Sequence, residues 1–162
     1  MKDFAQLATI LDWRKKLDDS WLQPFMLDNH SWASVEHYYQ ASKFKKNNQS
    51  FYLSFSLDSG TNLSKDVDMA KSAGGKTGKY NNVLIRPVQV EIDPDFFDKR
   101  HADELLSAQT AKFSLNDELK KLLLATNSAK LMQYNKRKPA IVDDSLMLLR
   151  HQLKLEEDVQ LL

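Results

Sequence analysis

Hydrophobic residues recur along most of this chain at intervals of three and four positions, the spacing that places them on one face of an α-helix. Polar and charged residues fill the positions between them, so each such segment predicts an amphipathic helix. The helices predicted in this way are residues 4–16, 35–44, 51–57, 64–73, 94–113 and 117–124, with a last one from Asp143 or Asp144 towards residue 162.

Two short stretches are predicted to be extended. Residues 25–32, which read FMLDNHSW, suit two arms around an Asp28-Asn29 turn, as in a small hairpin. Residues 83–92 alternate loosely around Pro87 and indicate a short edge strand. Only four glycines and four prolines occur, too few for an all-β fold with many tight turns. The pattern predicts a mainly α fold, a single compact helical domain over residues 1–162 with a small β-hairpin and short strands.

Capping residues indicate where individual helices begin. Ser34 suits the N-cap position, which places Glu36 in the first helical turn, where the helix dipole favours negative charge. Asp93-Pro94 is typical of an N-cap followed by proline at the first helical position. The helix after it is predicted to turn four side chains towards the core: Phe97, Leu105, Ala108 and Ala111.

Composition narrows the class of protein. The chain has 162 residues, 42% hydrophobic and 28% charged, which is ordinary for a soluble globular domain. Its net charge of +1 gives no global field that would indicate nucleic acid, although a local basic patch stays possible. The absence of cysteine excludes disulfides and thiolate chemistry. The N-terminus MKDF has no apolar signal core, and no apolar run approaches about 18 residues, so we expect a cytoplasmic protein without a membrane partner.

The segment with the most chemistry is residues 31–44, which read SWASVEHYYQASKF. At about 100° per residue, Glu36, Gln40 and Lys43 fall on one stripe of the helix. A carboxylate and an amine two turns apart, with an amide between them, can bind and polarise a polyhydroxylated substrate. The same spacing is typical of a solvated face with an intrahelical charge pair. Spacing alone leaves both interpretations open.

A loop rich in glycine and lysine is a candidate for phosphate binding. Gly75-Lys76-Thr77 resembles the end of a Walker motif, but the glycine required five residues earlier is Ala70. The preceding segment also reads as a helix instead of a strand, so a nucleotide-triphosphatase loop is excluded. Backbone amides with Lys76 or Lys79 would still hold a substrate phosphate, unless the loop is merely basic.

The histidines argue against a metal centre. His30, His37, His101 and His151 are scattered, and none pairs at the spacing of metal ligands. We therefore expect no metal and no cofactor. His37 is predicted to be a packed, hydrogen-bonded residue that fixes the helix or borders a substrate pocket. No Gly-x-Ser-x-Gly elbow occurs, so acyl transfer has no support.

Large aromatic residues near residues 31–44 have two possible uses. Trp21, Trp32, Tyr38 and Tyr39 would by default pack in the core. Alternatively, one or two of them form a stacking wall for a base, for which Trp21 and Trp32 are best placed because they precede the helix. Lys112 is likewise either a solvated helix end or a pocket residue. Residues 136–138, which read KRK, suit a phosphate-rich partner or a solvated loop.

Residues 32–44, which read W-x-S-V-E-H-Y-Y-Q-A-x-K-F, resemble the signature helix of the NADAR family of YbiA-like proteins. The likeness continues in residues 108–113 (AQTAKF), 119–131 (LKKLLLATNSAKL) and 146–150 (LMLLR). These are similar to the family's A-x-x-A-K-F, L-x-x-x-L-L-x-T-x-x-A-x-L and L-M-x-x-R patterns. The first motif is specific, whereas the later ones are mostly apolar helix patterns. Their order and spacing suit one domain whose core covers about residues 10–151.

This resemblance implies N-glycosidic chemistry on ribosylated bases. Some members cleave the base–ribose bond of phosphorylated riboflavin-pathway intermediates, and others remove ADP-ribose from guanine in nucleic acid. On this chain, Glu36 would stabilise the cationic ribose or bind its hydroxyls, and Gln40 would orient it. Lys43 would attack the anomeric carbon and carry a transient imine, or else bind phosphate or protonate the base. A non-catalytic ADP-ribose or nucleotide reader is the main alternative, and a plain helical interaction domain is a third.

The chain departs from the family at two places. A Trp-Gly stretch and a glycine-rich run are missing from residues 134–142. The R-P-D-W block is replaced by residues 93–97, DPDFF, in which Asp95 would stand in for a site aspartate and Phe96 for the tryptophan. These losses affect the base-recognising half of the pocket, so the substrate would differ or the domain would bind without cleaving. We expect a monomer whose partner is a ribosylated nucleotide or an ADP-ribose-containing substrate, including ADP-ribosylated nucleic acid.

Overall fold

The computed structural model describes residues 4–134 and 138–162, and within them the protein is a mainly α fold with short strand pairs, as predicted. The helices are α1 (Trp13–Leu17), α2 (Val35–Ser42), α3 (Gln49–Ser54), α4 (Val67–Ala73), α5 (His101–Ser114), α6 (Asp117–Ala125) and α7 (Asp144–Gln160). The strands are β1 (Phe25–Leu27), β2 (His30–Trp32), β3 (Lys79–Tyr80), β4 (Val83–Leu84), β5 (Met132–Gln133) and β6 (Ile141–Val142). The strands form three antiparallel two-stranded sheets, in which β1 pairs with β2, β3 with β4 and β5 with β6.

The predicted hairpin is present and leads directly into α2. Phe25 pairs with Trp32 across β1 and β2, and both turn residues, Asp28 and Asn29, have positive φ angles of 54° and 65°. Asp and Asn tolerate this left-handed conformation, which a two-residue hairpin turn requires. The Asp28 carboxylate also accepts a hydrogen bond of 2.7 Å from the Tyr38 hydroxyl, which fastens the turn to α2.

The core consists of two clusters that α5 connects. The first surrounds the buried face of α2 and contains Ala108 of α5, and the second lies between α6 and α7 and contains Phe113 of α5. On α2 the residues fully enclosed by the first cluster are Val35, Tyr38 and Ala41, at most 1% exposed. Glu36 lies on α2 and Lys43 directly follows it. The opposite face of this helix is packed in the first core cluster, so the positions of both residues are fixed.

The predicted cap at Ser34 is confirmed, and α6 and α7 begin with caps of the same kind. The Ser34 hydroxyl accepts from the His37 amide (3.1 Å) at the start of α2. Asn116 and Asp143 accept in the same way from the amides three residues later, at 3.1 and 3.0 Å, and begin α6 and α7. Each side chain satisfies one of the amides that a helix leaves unpaired in its first turn.

Two predicted helix starts are wrong. The predicted opening helix is broken, because Ile10 is extended and Asp12 takes a left-handed φ of 57°. A 3-10 turn at Leu7–Thr9 stands before α1 in place of a continuous helix. The helix predicted from Ser64 starts at Val67, because Asp66 is the residue that caps it, accepting from the Met69 amide at 3.1 Å.

The segment before α5 also differs from the prediction. Residues Phe96–Arg100 form a wide π-type turn before α5 begins at His101. This turn changes the helical register, so Phe96 is fully buried while Phe97, predicted to face the core, is 54% exposed. The predicted edge strand over 83–92 is limited to Val83–Leu84, and Pro87 and Val88 beyond it are exposed.

Replacing the cap of α2 tests how firmly this helix is set. We expect Ser34→Ala to lower the free energy of unfolding by about 1–2 kcal/mol, because the His37 amide loses its acceptor. Urea denaturation followed by circular dichroism measures the change. Ser50→Ala, at an exposed position inside α3, is the matched control, and equal midpoints for the two variants would contradict a stabilising cap.

Candidate active site

The three polar residues of the α2 stripe, Glu36, Gln40 and Lys43, each make a hydrogen bond. Gln40 and Glu36 bond to each other, and Lys43 bonds to the loop after α4. The Gln40 Nε2 group donates to Glu36 Oε1 at 2.7 Å, one helical turn away. Lys43 is the residue directly after α2, and its Nζ donates to the carbonyl oxygen of Gly74 at 2.8 Å. The solvated-face interpretation is contradicted for Gln40 and Lys43, which are only 7% and 6% exposed.

The amine of Lys43 lies among aromatic side chains. Its Nζ is 5.7 Å from the centre of the Tyr39 ring and 5.3 Å from that of Phe97. Burial lowers the pKa of Lys43 to about 8, the Glu36 carboxylate opposes this, and the Arg86 charge adds to the lowering. Lys43 is therefore a lysine whose neutral, nucleophilic form is accessible near neutral pH.

Gly74 is where the loop after α4 approaches α2 most closely. A Cβ atom at this position would lie 2.0 Å from Gln40 Oε1, so only glycine fits while Gln40 keeps its place. Gln40 Oε1 is buried and has no hydrogen-bond partner among the described residues. The Gly74 backbone thus supplies the acceptor for Lys43 and also confines the amide that holds Glu36.

Arg86 fixes this loop from its other side. Its Nη1 donates to the carbonyl oxygens of Ala73 (2.9 Å) and Gly75 (2.7 Å), on either side of Gly74. The guanidinium therefore sets the direction of the Gly74 carbonyl. Nothing in the local sequence around Arg86 indicated this role, because its partners are more than ten residues away.

A second carboxylate, which sequence reasoning missed, lies beside Glu36. The Glu36 amide donates to the carbonyl oxygen of Asp19 at 2.9 Å, and Asp19 Oδ1 accepts from Gln109 Nε2 at 3.0 Å. Burial raises the pKa of Asp19, and the nearby Asp143 carboxylate raises it further. Asp19 stands in an irregular segment without a motif, so only its neighbours in space identify it.

Lys112 belongs to the same polar cluster and not to a solvated helix end. It is 2% exposed, and its Nζ donates to the carbonyl oxygen of Asp18 at 2.8 Å. Burial lowers its pKa, which the negative charge of Asp19 opposes. The structure therefore brings together five polar side chains on one side of α2: Glu36, Gln40, Lys43, Asp19 and Lys112.

Two residues predicted to bind substrate are contradicted by their positions. Trp32 is fully buried, with its indole nitrogen bonded to the Leu27 carbonyl at 2.9 Å, so it packs in the core and cannot stack on a base. His37 is also fully buried, and its ring nitrogens contact Ser34 Oγ (2.8 Å) and the Leu63 carbonyl (3.1 Å). It is the packed residue that fixes the helix and does not border a pocket.

The remaining predicted residues lie at different distances from this centre. Tyr39 is half-buried beside Lys43 and packs its ring edge-on against Phe96, with centres 5.4 Å apart. Lys76 and Asp95 are exposed on loops, and it is Asp93 instead that is buried, paired with Arg100 at 2.6 Å. The role of Asp95 as a stand-in for a site aspartate stays a prediction.

Trp21 lies on a separate concave surface. It lines a cleft of about 800 Å³ whose wall includes Asp18 and Ser20, the neighbours of Asp19 in the chain. Another cleft, of about 870 Å³, lies between α6 and α7 and is lined by Lys120 and Arg150. Neither cleft is lined by Glu36 or Lys43.

Of the basic run at residues 136–138, Lys136 and Arg137 lie outside the described residues, and Lys138 is exposed.

Two kinds of feature were not found in the part of the chain that the structure describes. Among residues 4–134 and 138–162, no three acidic or histidine side chains cluster in a way that could hold a metal ion. Within the same residues, none of the helices has the length and apolar character that crossing a membrane requires.

Comparison with known proteins supports the fold. No protein-family model matches the chain, and no curated protein matches it either. Among solved structures, it is similar to the NMR structure of the Escherichia coli protein YbiA, with a TM-score of 0.63 and 24% sequence identity. The match covers 88% of this chain and 79% of that protein. The fold is therefore YbiA-like, and at this level of identity the likeness concerns the fold alone.

The close contact at Gly74 generates a prediction about stability. We expect Gly74→Ala to lower the free energy of unfolding by about 1–3 kcal/mol, because the new methyl group displaces Gln40. The backbone φ of −89° is open to alanine, so strain in the main chain does not contribute. In the double variant with Gln40→Ala the 2.0 Å contact with Oε1 is gone, and a 3.0 Å contact with the Cβ at position 40 is left. Urea denaturation of the two single variants and the double variant should therefore show favourable coupling, and simple additivity would contradict the contact.

The environment of Lys43 predicts how it titrates. Between about pH 8 and the ordinary lysine pKa of 10.5, the unfolded chain holds more protons at this position than the folded chain. Stability contributed by this residue therefore rises with pH across that window. The ¹³Cε resonance of Lys43 is identified by its loss in Lys43→Met, and we expect it to titrate near pH 8. In Glu36→Gln we expect a midpoint closer to pH 7, because the carboxylate that opposes the lowering of the pKa is removed. A midpoint near 10.5 would contradict the burial.

Proposed function

We propose that this chain is a hydrolase of the NADAR family, an N-glycosidase that cleaves the base–ribose bond of a ribosylated or ADP-ribosylated substrate. The observation that carries the proposal is the buried amine of Lys43 two helical turns from the carboxylate of Glu36, on the segment that resembles the family's signature helix. The YbiA-like fold supports the same assignment. We also propose a cytoplasmic location and action as a monomer.

The reaction has two electrostatic demands. Breaking the bond between C1′ of ribose and a base nitrogen leaves positive charge on the sugar and an electron pair on the base. A carboxylate held near the sugar stabilises the cation most when its position is fixed in advance. Glu36 fits this role because Gln40 holds Oε1 at 2.7 Å, and among the described residues no hydrogen bond occupies Oε2.

Lys43 fits the role of nucleophile. With its pKa lowered to about 8, a useful fraction of the amine is neutral at neutral pH. Its nitrogen attacks C1′ as the bond to the base breaks, and opening of the sugar ring gives an imine that water then hydrolyses. The Gly74 carbonyl directs the amine, and the rings of Tyr39 and Phe97 limit its access to bulk water.

The substrate classes to be tested follow from the bond that is cleaved. They are ADP-ribosylated guanine in DNA and phosphorylated aminouracil ribosides of the riboflavin pathway, with NAD and free ADP-ribose for comparison. Each is incubated with the protein, and released base is detected by chromatography. Saturable binding of any of them without release of base would favour a nucleotide reader in place of an enzyme.

Two variants test the assigned residues. We expect Glu36→Gln and Lys43→Ala each to lower the rate of base release by about 100-fold or more, since each removes a group acting in the transition state. Circular dichroism and thermal unfolding check that the fold is kept. The controls are Glu91→Gln and Lys46→Ala, at exposed positions outside the site, and both should release base at the wild-type rate.

Trapping separates the imine route from purely electrostatic catalysis. Borohydride added during turnover would reduce the imine to a stable secondary amine and leave the sugar on Lys43, where mass spectrometry of peptides locates it. Normal turnover in Lys43→Ala would exclude the nucleophile assignment. Turnover without a trapped adduct would leave Glu36 as the principal catalytic group.

A further inference from the structure

The carboxylate of Asp19 is enclosed by polar side chains from three parts of the chain. Gln109 of α5 donates to Oδ1 at 3.0 Å, and Lys112, one turn further along α5, is anchored on the Asp18 carbonyl. Glu36 of α2 is tied to the Asp19 backbone through its amide at 2.9 Å. Asp143, before α7, shares the Gln109 amide with Asp19. Asp19 is thus fixed between the α2 stripe and the α5–α7 contact.

The two carboxylates that share Gln109 differ in how many donors they receive. Asp143 accepts from the Gln133 amide (2.6 Å), the Ser145 hydroxyl (2.9 Å) and the Leu146 amide (3.0 Å), besides Gln109 (3.1 Å). Four donors are the surroundings of an anion, because an ionised carboxylate only accepts hydrogen bonds. The Asp19 carboxylate accepts one side-chain hydrogen bond among the described residues, from Gln109.

A proton on Asp19 follows from this difference. Asp143 is buried and Asp19 is half-buried. Two such carboxylates that share one amide are not ionised together without a cost, so the one with more hydrogen-bond donors keeps the charge. Burial raises the pKa of Asp19 and Asp143 raises it further, with a smaller contribution from Glu36, while Lys112 lowers it. Tyr39 also faces this group, and burial raises its pKa, with a smaller contribution from the Glu36 carboxylate and a lesser one from Asp19.

We propose that Asp19 is the general acid that donates its proton to the departing base; this inference rests on the N-glycosidase function proposed above. Glu36 and Asp19 then have opposite tasks, the first as an anion beside the sugar and the second as a neutral acid beside the base. Gln109 is a positioning residue that orients Asp19, and Lys112 is placed to stabilise the carboxylate that remains.

The steps balance in atoms and charge. The bond between C1′ and the base nitrogen breaks, its electron pair goes to the base, and the proton of Asp19 passes to that base. The lone pair of neutral Lys43 forms the new bond to C1′, which leaves a cationic adduct and an anionic Asp19. The sugar ring then opens as a proton of the new ammonium group passes to the ring oxygen, which gives a protonated imine. Water adds to the imine carbon and gives one proton to Asp19. The bond to Lys43 breaks as the other proton of that water passes to the lysine nitrogen, which releases the sugar and neutral Lys43.

The pH dependence of catalysis tests the proposal, with the substrate on which the wild-type protein releases base. We expect kcat/KM to fall on the alkaline side as Asp19 ionises. In Asp19→Asn we expect kcat to drop about 100-fold, KM to change less than about 3-fold, and the alkaline fall to disappear, because no proton is left to lose. A merely structural role would lower the whole profile and keep its shape, and that result would overturn the proposal.

Asp12→Asn is the matched control for removal of an acid. Asp12 is exposed, and its left-handed backbone accepts asparagine, so its profile should coincide with that of the wild type. Gln109→Glu tests the positioning role, since a second acid in place of the amide donor should shift the alkaline fall without abolishing it.

A direct measurement distinguishes failure of this inference from failure of the proposed function. In protein labelled with ¹³C at the aspartate carboxyl carbon, the Asp19 resonance is identified by its loss in Asp19→Asn. We expect it to have the shift of a protonated acid at pH 7, and a carboxylate shift there would overturn the proposal even in an active enzyme. If no tested substrate releases base, the proposed function fails and the general-acid role fails with it, whatever the protonation of Asp19.

Discussion

The hydrogen bond between the Lys43 amine and the Gly74 carbonyl is the contact on which the rest of the site depends. It joins the end of α2 to the loop after α4 and keeps a lysine out of solvent at 6% exposure. Burying an amine is costly, so its partner must be fixed, and Arg86 fixes it by binding the carbonyls on both sides of Gly74. The lowered pKa of Lys43 is a consequence of this rigid enclosure.

The opposite side of α2 explains why such an arrangement persists. Val35, Tyr38 and Ala41 are buried in the first core cluster, and the Ser34 cap sets where the helix starts. Rotation of α2 would expose this apolar face, at about 25 cal/mol for each Å². The direction of the polar stripe is therefore determined by packing on the far side of the helix and not by the polar groups themselves.

The local sequence predicted the mainly α fold, the cap at Ser34, the approximate starts of α6 and α7, and the shared face of Glu36 and Gln40, because all of these are local. It failed where a turn changes register, as at Phe96 and Phe97, since nothing in the spacing distinguishes a π-type turn from an α-helix. Asp19, Gln109 and Arg86 could not be predicted either. Their partners are 90 residues away for Asp19 and Gln109, and only the folded chain brings them together.

The same reasoning explains why two acids near one helix need not compete. Glu36 is partly exposed and receives an amide donor from Gln40. Asp19 shares its single side-chain donor with Asp143, and burial together with the Asp143 charge raises the pKa of Asp19. Different surroundings thus separate two chemically equivalent groups into an anion and an acid. A glycosidic bond to a base needs both, because charge develops with opposite sign on its two sides.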